Sequence, residues 1–210
     1  MLYGKSLLFN NLTGPIVYAI AWAFFGLLHS LLAREFIQFK LETCLGAYYR
    51  FTYNVFAACK IMLVFYIGSI WLSDDTFILL NNNGAFITSS ILRFSGMVVF
   101  LLALSMYDLG RFSGITQVIT GEKLSSSSDE PLQRRFLNRL MRHPLYTAAF
   151  LLLWGGAVSP LGLWTAVWGT LYLIIGTFFE ERKLVRIYGD EYRRYQQEVP
   201  RYSPGIAFSI

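Results

Sequence analysis

Charge is scarce in this chain of 210 residues. Asp, Glu, Lys and Arg make up 15% of it, against roughly 25% in soluble domains. Histidine is scarcer still: His29 and His143 are the only two, which excludes a multi-histidine metal centre on count. Two cysteines, Cys44 and Cys59, have no metal-ligand spacing and make no disulfide framework; they read as small buried hydrophobes. No Gly-x-Gly-x-x-Gly run is present, so a Rossmann dinucleotide domain is not expected. There is also no phosphate-binding Gly-x-x-x-x-Gly-Lys-Ser/Thr, no His-Glu-x-x-His and no Gly-x-Ser-x-Gly elbow.

Apolar sequence fills the space that charge leaves. The chain is 55% hydrophobic and 17% aromatic, with a mean hydropathy of +0.45. Such a composition cannot hide its apolar surface as a soluble monomer and belongs in a bilayer. The net charge is +5, and twelve of the eighteen Lys and Arg residues follow Gly110. Because the aromatics lie within apolar runs, this asymmetry reads as membrane topology and not as nucleic-acid binding.

The expected architecture is an all-α integral membrane protein: one membrane domain, 1–210, with about five transmembrane helices. A three-helix bundle occupies 1–110, with spans at 15–32, 51–72 and 91–109. The first reads as a retained span and not a cleaved signal peptide. Residues 33–50 form a polar amphipathic connector. Residues 74–90 lack Lys and Arg, contain Asn81-Asn82-Asn83-Gly84 and read as an outside loop. Residues 110–143 carry Arg111, Lys123, Arg134, Arg135, Arg139 and Arg142 around a serine patch at 125–128. By the positive-inside rule this loop is cytoplasmic, placing the N-terminus outside and the C-terminus inside, in a cell inner membrane or the endoplasmic reticulum. Lys60 falls near the middle of the second span. It either faces an interior pocket or snorkels outward.

The last third, 111–210, is expected to hold the site. Residues 145–158 are too few for a full crossing. Ser159-Pro160-Leu161-Gly162 turns the chain and 163–179 returns it, a tight helical hairpin. The hairpin brings Arg142-His143 beside Glu180-Glu181. From 180 onward an amphipathic helix has Glu181, Leu184, Tyr188, Tyr192 and Tyr195 at helical spacing and ends near Pro200 and Pro204. As a plain alternative it is a juxtamembrane helix resting on anionic headgroups. The cluster suits a zwitterionic ligand. Arg142 can take a carboxylate bidentately, and His143 can exchange a proton near neutral pH. Glu180 or Glu181 can meet an ammonium or hydroxyls, while Tyr146 and Tyr188 offer rings and phenols. S-adenosyl-L-methionine has this set of features. The bland alternative is a surface ion pair of little effect.

The run Arg142-His143-Pro144-Leu145-Tyr146, Glu180-Glu181-x-x-Leu184, Tyr188-Gly189-x-Glu191-Tyr192-x-x-Tyr195 and Val199-Pro200-Arg201 resembles the C-terminal signature of the isoprenylcysteine carboxyl methyltransferase superfamily. The resemblance covers about the last third of the chain. It implies an S-adenosylmethionine site under the cytosolic membrane face, with His143, Tyr146, Glu180 or Glu181 and Tyr192 as cofactor residues. His29-Ser30-Leu31-Leu32-Ala33, Tyr49-Arg50-Phe51-x-Tyr53-Asn54 and Asp108-x-x-x-Phe112-x-Gly114-x-x-Gln117 are similar to the methanethiol S-methyltransferase and NnrU branches. One departure is Ala148, where the superfamily often has glycine.

The implied reaction is methyl transfer to a small or hydrophobic thiol, without a metal. The partners are a small hydrophobic or lipidated substrate and membrane lipid. A thiol must lose its proton to become the nucleophile, and His143, His29 and Asp108 are the candidates to assist. Three alternatives stand beside this: an isoprenylcysteine carboxyl methyltransferase, an NADPH-dependent sterol-reductase-like enzyme, and a non-catalytic NnrU-like membrane protein.

Overall fold

The computed structural model describes residues 12–72, 83–121 and 131–203. Lys123, the serine patch at 125–128, most of the outside loop and Pro204 lie outside these residues. Helix is the only regular secondary structure among the described residues. α1 (Thr13–Leu32), α3 (Tyr49–Trp71), α4 (Asn83–Leu104) and α8 (Pro160–Tyr188) are long and apolar enough to cross a membrane. α7 (Pro144–Gly155) is apolar but shorter. Short helices complete the set: α2 (Glu35–Leu45), α5 (Leu109–Ser113), α6 (Ile115–Thr120) and α9 (Asp190–Glu198).

Burial is inverted relative to a soluble protein. Phe94 is 73% exposed and Leu27 65%, as expected of side chains that face lipid. The packed interior is small and aromatic. Tyr18, Trp22 and Phe25 of α1 meet Val64 of α3, with Trp164, Trp168 and Tyr172 of α8 packed against them. Tyr18 Oη and Thr165 Oγ1 share a hydrogen bond of 2.8 Å between α1 and α8.

The hairpin is lopsided. At 1.5 Å per residue the 12 residues of α7 span about 18 Å, and the 29 residues of α8 about 43 Å. A hydrocarbon core is about 30 Å thick. α7 therefore ends at membrane depth, where unsatisfied carbonyls are expensive. Helix α4 supplies the partners: Ser89 Oγ and Arg93 Nε both donate to the Gly155 carbonyl, at 2.6 and 2.8 Å. A Cβ at Gly96 would lie 2.9 Å from Leu152 Cγ, so α4 and α7 approach too closely for a side chain there.

Four features differ from the expected ones. α4 begins at Asn83, not near 91, because Asn83-Gly84 forms a first helical turn; Thr88 Oγ1 donates back to the Gly84 carbonyl at 2.9 Å. It ends at Leu104, and Asp108 then caps α5. The connector 33–50 contains the helix α2. The amphipathic helix expected from 180 is the unbroken end of α8, which stops only at Gly189.

Candidate functional site

Pro144 occupies the first turn of α7, where its missing N–H removes nothing. It keeps His143 out of helical geometry, at φ −125° and ψ 67°. Residues 142–143 are thus extended, and the returning tail pairs with them. Arg142 N donates to the Pro200 carbonyl at 2.9 Å and His143 N to the Arg201 carbonyl at 3.0 Å. Thr147 Oγ1 ties the same tail by donating to the Tyr202 carbonyl at 2.6 Å.

Glu181 sits where α8, α9 and this strap meet. Its side chain is 5% exposed and that of Arg142 7%. Arg142 reaches Oε1 with Nε at 2.8 Å and Nη2 at 2.7 Å. His143 Nε2 meets the same oxygen at 3.1 Å, and a carboxylate only accepts, so Nε2 carries the proton. Arg201 Nη2 and Gln196 Nε2 donate to Oε2 at 2.9 and 3.2 Å. Arg142 Nη1 also donates to the carbonyls of Gln196 and Val199. Arg142 takes a carboxylate as its fork geometry suggests, but it is the protein's own.

Glu180, one residue back, is different. It is 43% exposed and accepts from Tyr146 Oη at 2.7 Å. His143 Nδ1 lies 3.8 Å from it, and the His143 and Tyr146 rings stack at 5.4 Å with only 6° between their planes. The hairpin therefore brings together five of the expected residues: Arg142, His143, Tyr146, Glu180 and Glu181. Tyr192 joins them from α9, 1% exposed, with a hydroxyl that finds no hydrogen-bond partner among the described residues. Its pKa is raised by burial and then by the nearby Glu181 charge. Burial likewise pushes Tyr195 up to about 12, so both phenols stay protonated at neutral pH; Tyr195 Oη donates to the Asn138 carbonyl.

Three expected residues stand apart. Tyr188 packs against Tyr192, Tyr195 and Val199 at the α8–α9 corner. Asp108 is exposed and caps α5, accepting from Arg111 N at 3.0 Å. His29 lies in α1, one layer deeper, with Nε2 3.1 Å from Tyr53 Oη and its ring 6.0 Å from that of Tyr172. The layers are joined, since the Tyr146 phenol is within electrostatic reach of those of Tyr172 and Tyr107. Sequence reasoning missed Arg201 and Gln196 as Glu181 partners. Arg201 was visible within Val199-Pro200-Arg201; nothing in the sequence marks Gln196.

A depression of about 250 Å³ borders the network, lined by Phe178, Glu181, Arg182, Val185, Gln196 and Arg201. Residues 91–191, from mid-α4 into α9, match the phospholipid methyltransferase family model. Over this stretch the chain is similar to a family of methyltransferases. Its relatives cover nearly all of it. Methanethiol S-methyltransferase 1 of Bradyrhizobium diazoefficiens is 28% identical over 90% of this chain and 66% of its own length. The methanethiol S-methyltransferase of Pseudomonas deceptionensis is 25% identical over 87% of this chain and 70% of its own, and that of Crocosphaera subtropica 29% over 87% and 71%. The chain thus spans about two thirds of the length of these relatives. No solved structure matches it significantly. Beside the network, the Glu180 carboxylate is partly exposed, and the Tyr192 hydroxyl and Arg201 Nε are buried with no hydrogen-bond partner among the described residues.

Proposed function

We propose that this protein transfers a methyl group from S-adenosylmethionine to a small or hydrophobic thiol at the cytoplasmic face of a membrane. The observation that carries the reading is the apposition of Tyr146–Glu180 with Arg142, His143 and Glu181, inside the stretch matched by the methyltransferase family, with Arg201 joining from just beyond it. The names of the relatives support a thiol as acceptor. The donor set also fits. Glu180 offers an acceptor for an ammonium or ribose hydroxyls, and Arg201 Nε and Tyr192 Oη offer donors.

When bound, S-adenosylmethionine supplies an electrophilic sulfonium methyl. The protein's work is to orient, to exclude water and to take the acceptor's proton. His143 holds Glu181 through Nε2, which leaves only Nδ1, facing Glu180, for proton exchange. His29 has a buried Nδ1 with no partner among the described residues. Asp108 faces solvent as a cap, so its part is structural. The Arg-rich stretches 134–142 and 182–201 fall at one end of the bundle, which supports a cytoplasmic side for that end.

Detergent-purified protein given methyl-labelled S-adenosylmethionine and methanethiol should release labelled dimethyl sulfide into the headspace. A labelled methyl ester formed only from a prenylcysteine peptide would instead make the acceptor a carboxylate.

A further inference from the structure

Lys60 lies near the middle of α3, 9% exposed. Its Nζ is sealed from the surface and has no hydrogen-bond partner among the described residues. It therefore does not snorkel. The Nζ sits 5.0 Å from the Phe56 ring centroid and 5.9 Å from that of Phe25. Phe25 in turn stacks on His29, centroids 5.8 Å apart, and His29 is bonded to Tyr53 and within electrostatic reach of Lys60. An unpaired amine at membrane depth costs several kcal/mol unless something engages it. Phe56, one of its two aromatic covers, is 49% exposed on the outer surface. One of the two rings that cover Lys60 is thus itself open to the outer surface. On the inner side, His29 and Tyr172 lead towards Tyr146 and Glu180.

We propose that Lys60, with His29 and Tyr53 beside it, is a binding subsite for the ionisable thiol of a membrane-dissolved acceptor. The step is a proton transfer: the acceptor S–H bond breaks, its proton passes to the Lys60 amine, and a thiolate–ammonium pair remains. No other reactant is consumed. The amine is neutral while the site is empty, and cation–π contact with Phe25 and Phe56 helps hold the ammonium once it forms. The inference deepens the proposed thiol methyl transfer and names where the acceptor is selected. Alcohols and amines of similar size, which lose a proton far less readily, are disfavoured there.

The test uses the full-length protein and a thiol probe, thiophenol, whose thiolate absorbs at longer wavelength than the thiol. At a pH below the probe's own pKa, mixing with the parent should produce the thiolate band. Lys60→Met should abolish that band while binding S-adenosylhomocysteine like the parent, and Lys60→Arg should retain part of it. With methanethiol in turnover, Lys60→Met should raise KM roughly tenfold or more with a smaller effect on kcat, as expected for loss of one charged contact. A band of equal size in the parent and a folded Lys60→Met, or no band in the parent, overturns the subsite. Failure of the parent to bind S-adenosylhomocysteine would count against the methyltransferase reading alone, since the thiophenol band still decides Lys60.

Discussion

Two buried polar clusters of this protein solve the same problem in opposite ways. At the arginine-rich end, Glu181 is enclosed by Arg142, His143, Gln196 and Arg201, and both its oxygens are engaged. At membrane depth, Lys60 has two aromatic faces and no hydrogen bond. The first cluster ties three segments together: the extended 142–143 pair, α8, and the strap after α9. The second ties nothing. A buried charge that is fully satisfied by its own protein is a cross-link, whereas one left without a partner is a place for a ligand.

The contrast can be broken most directly by removing each charge in turn. Glu181→Leu leaves Arg142 and Arg201 without their carboxylate, and loss of one member of a buried pair costs about 3–5 kcal/mol. Denaturation in micelles should show that loss, together with loss of the α9 strap to proteolysis. Lys60→Met removes a buried amine that no hydrogen bond repays, so stability should hold or rise. Equal destabilisation by the two substitutions would end the comparison.

Smaller effects sharpen it. Gly189 separates α8 from α9 at φ 57°, ψ −129°, and a Cβ there would meet nothing. Gly189→Ala therefore introduces backbone strain alone, on the order of 1–3 kcal/mol. It should weaken S-adenosylhomocysteine binding through α9 without touching Arg142. Tyr146→Phe removes the phenol that donates to Glu180, a charge-assisted bond on the order of 1.5 kcal/mol. Donor affinity should fall roughly tenfold with little change in melting temperature. Asp108→Asn should change least. It keeps an acceptor at the cap of α5, and its exposed pair with Arg111 is worth well under 1 kcal/mol. A large loss of turnover in this variant would return Asp108 to the chemistry.

Much of this was legible in the sequence, and the limits have physical causes. Long apolar runs bounded by charge placed the spans, and α3 came within two residues of its expected start. The apposition of Arg142-His143 with Glu180-Glu181 followed from a chain that turns at Pro160 and returns to the same face. The role of Glu181 was harder to read. A glutamate beside an arginine looks alike whether it awaits a ligand or is already satisfied, and the decision rests on Arg201 and Gln196, brought in by a strap whose path no periodicity records. Glu181 is therefore expected to matter first for folding, so a Glu181→Gln variant tests stability as much as cofactor contact. Lys60 posed the reverse ambiguity. Snorkelling and burial share one hydropathy pattern, and only the rings of Phe25 and Phe56 over the Nζ distinguish them. The start of α4 was misplaced because Asn83-Gly84 carries turn chemistry that the first turn of a helix also tolerates.

Calorimetric titration of the detergent-purified protein with S-adenosylhomocysteine, with NADPH as the comparison ligand, tests the central claim most directly. Saturable one-to-one binding of S-adenosylhomocysteine with no heat from NADPH is the result this account predicts. Binding of NADPH alone, or of neither ligand by a protein shown to be folded, would contradict it.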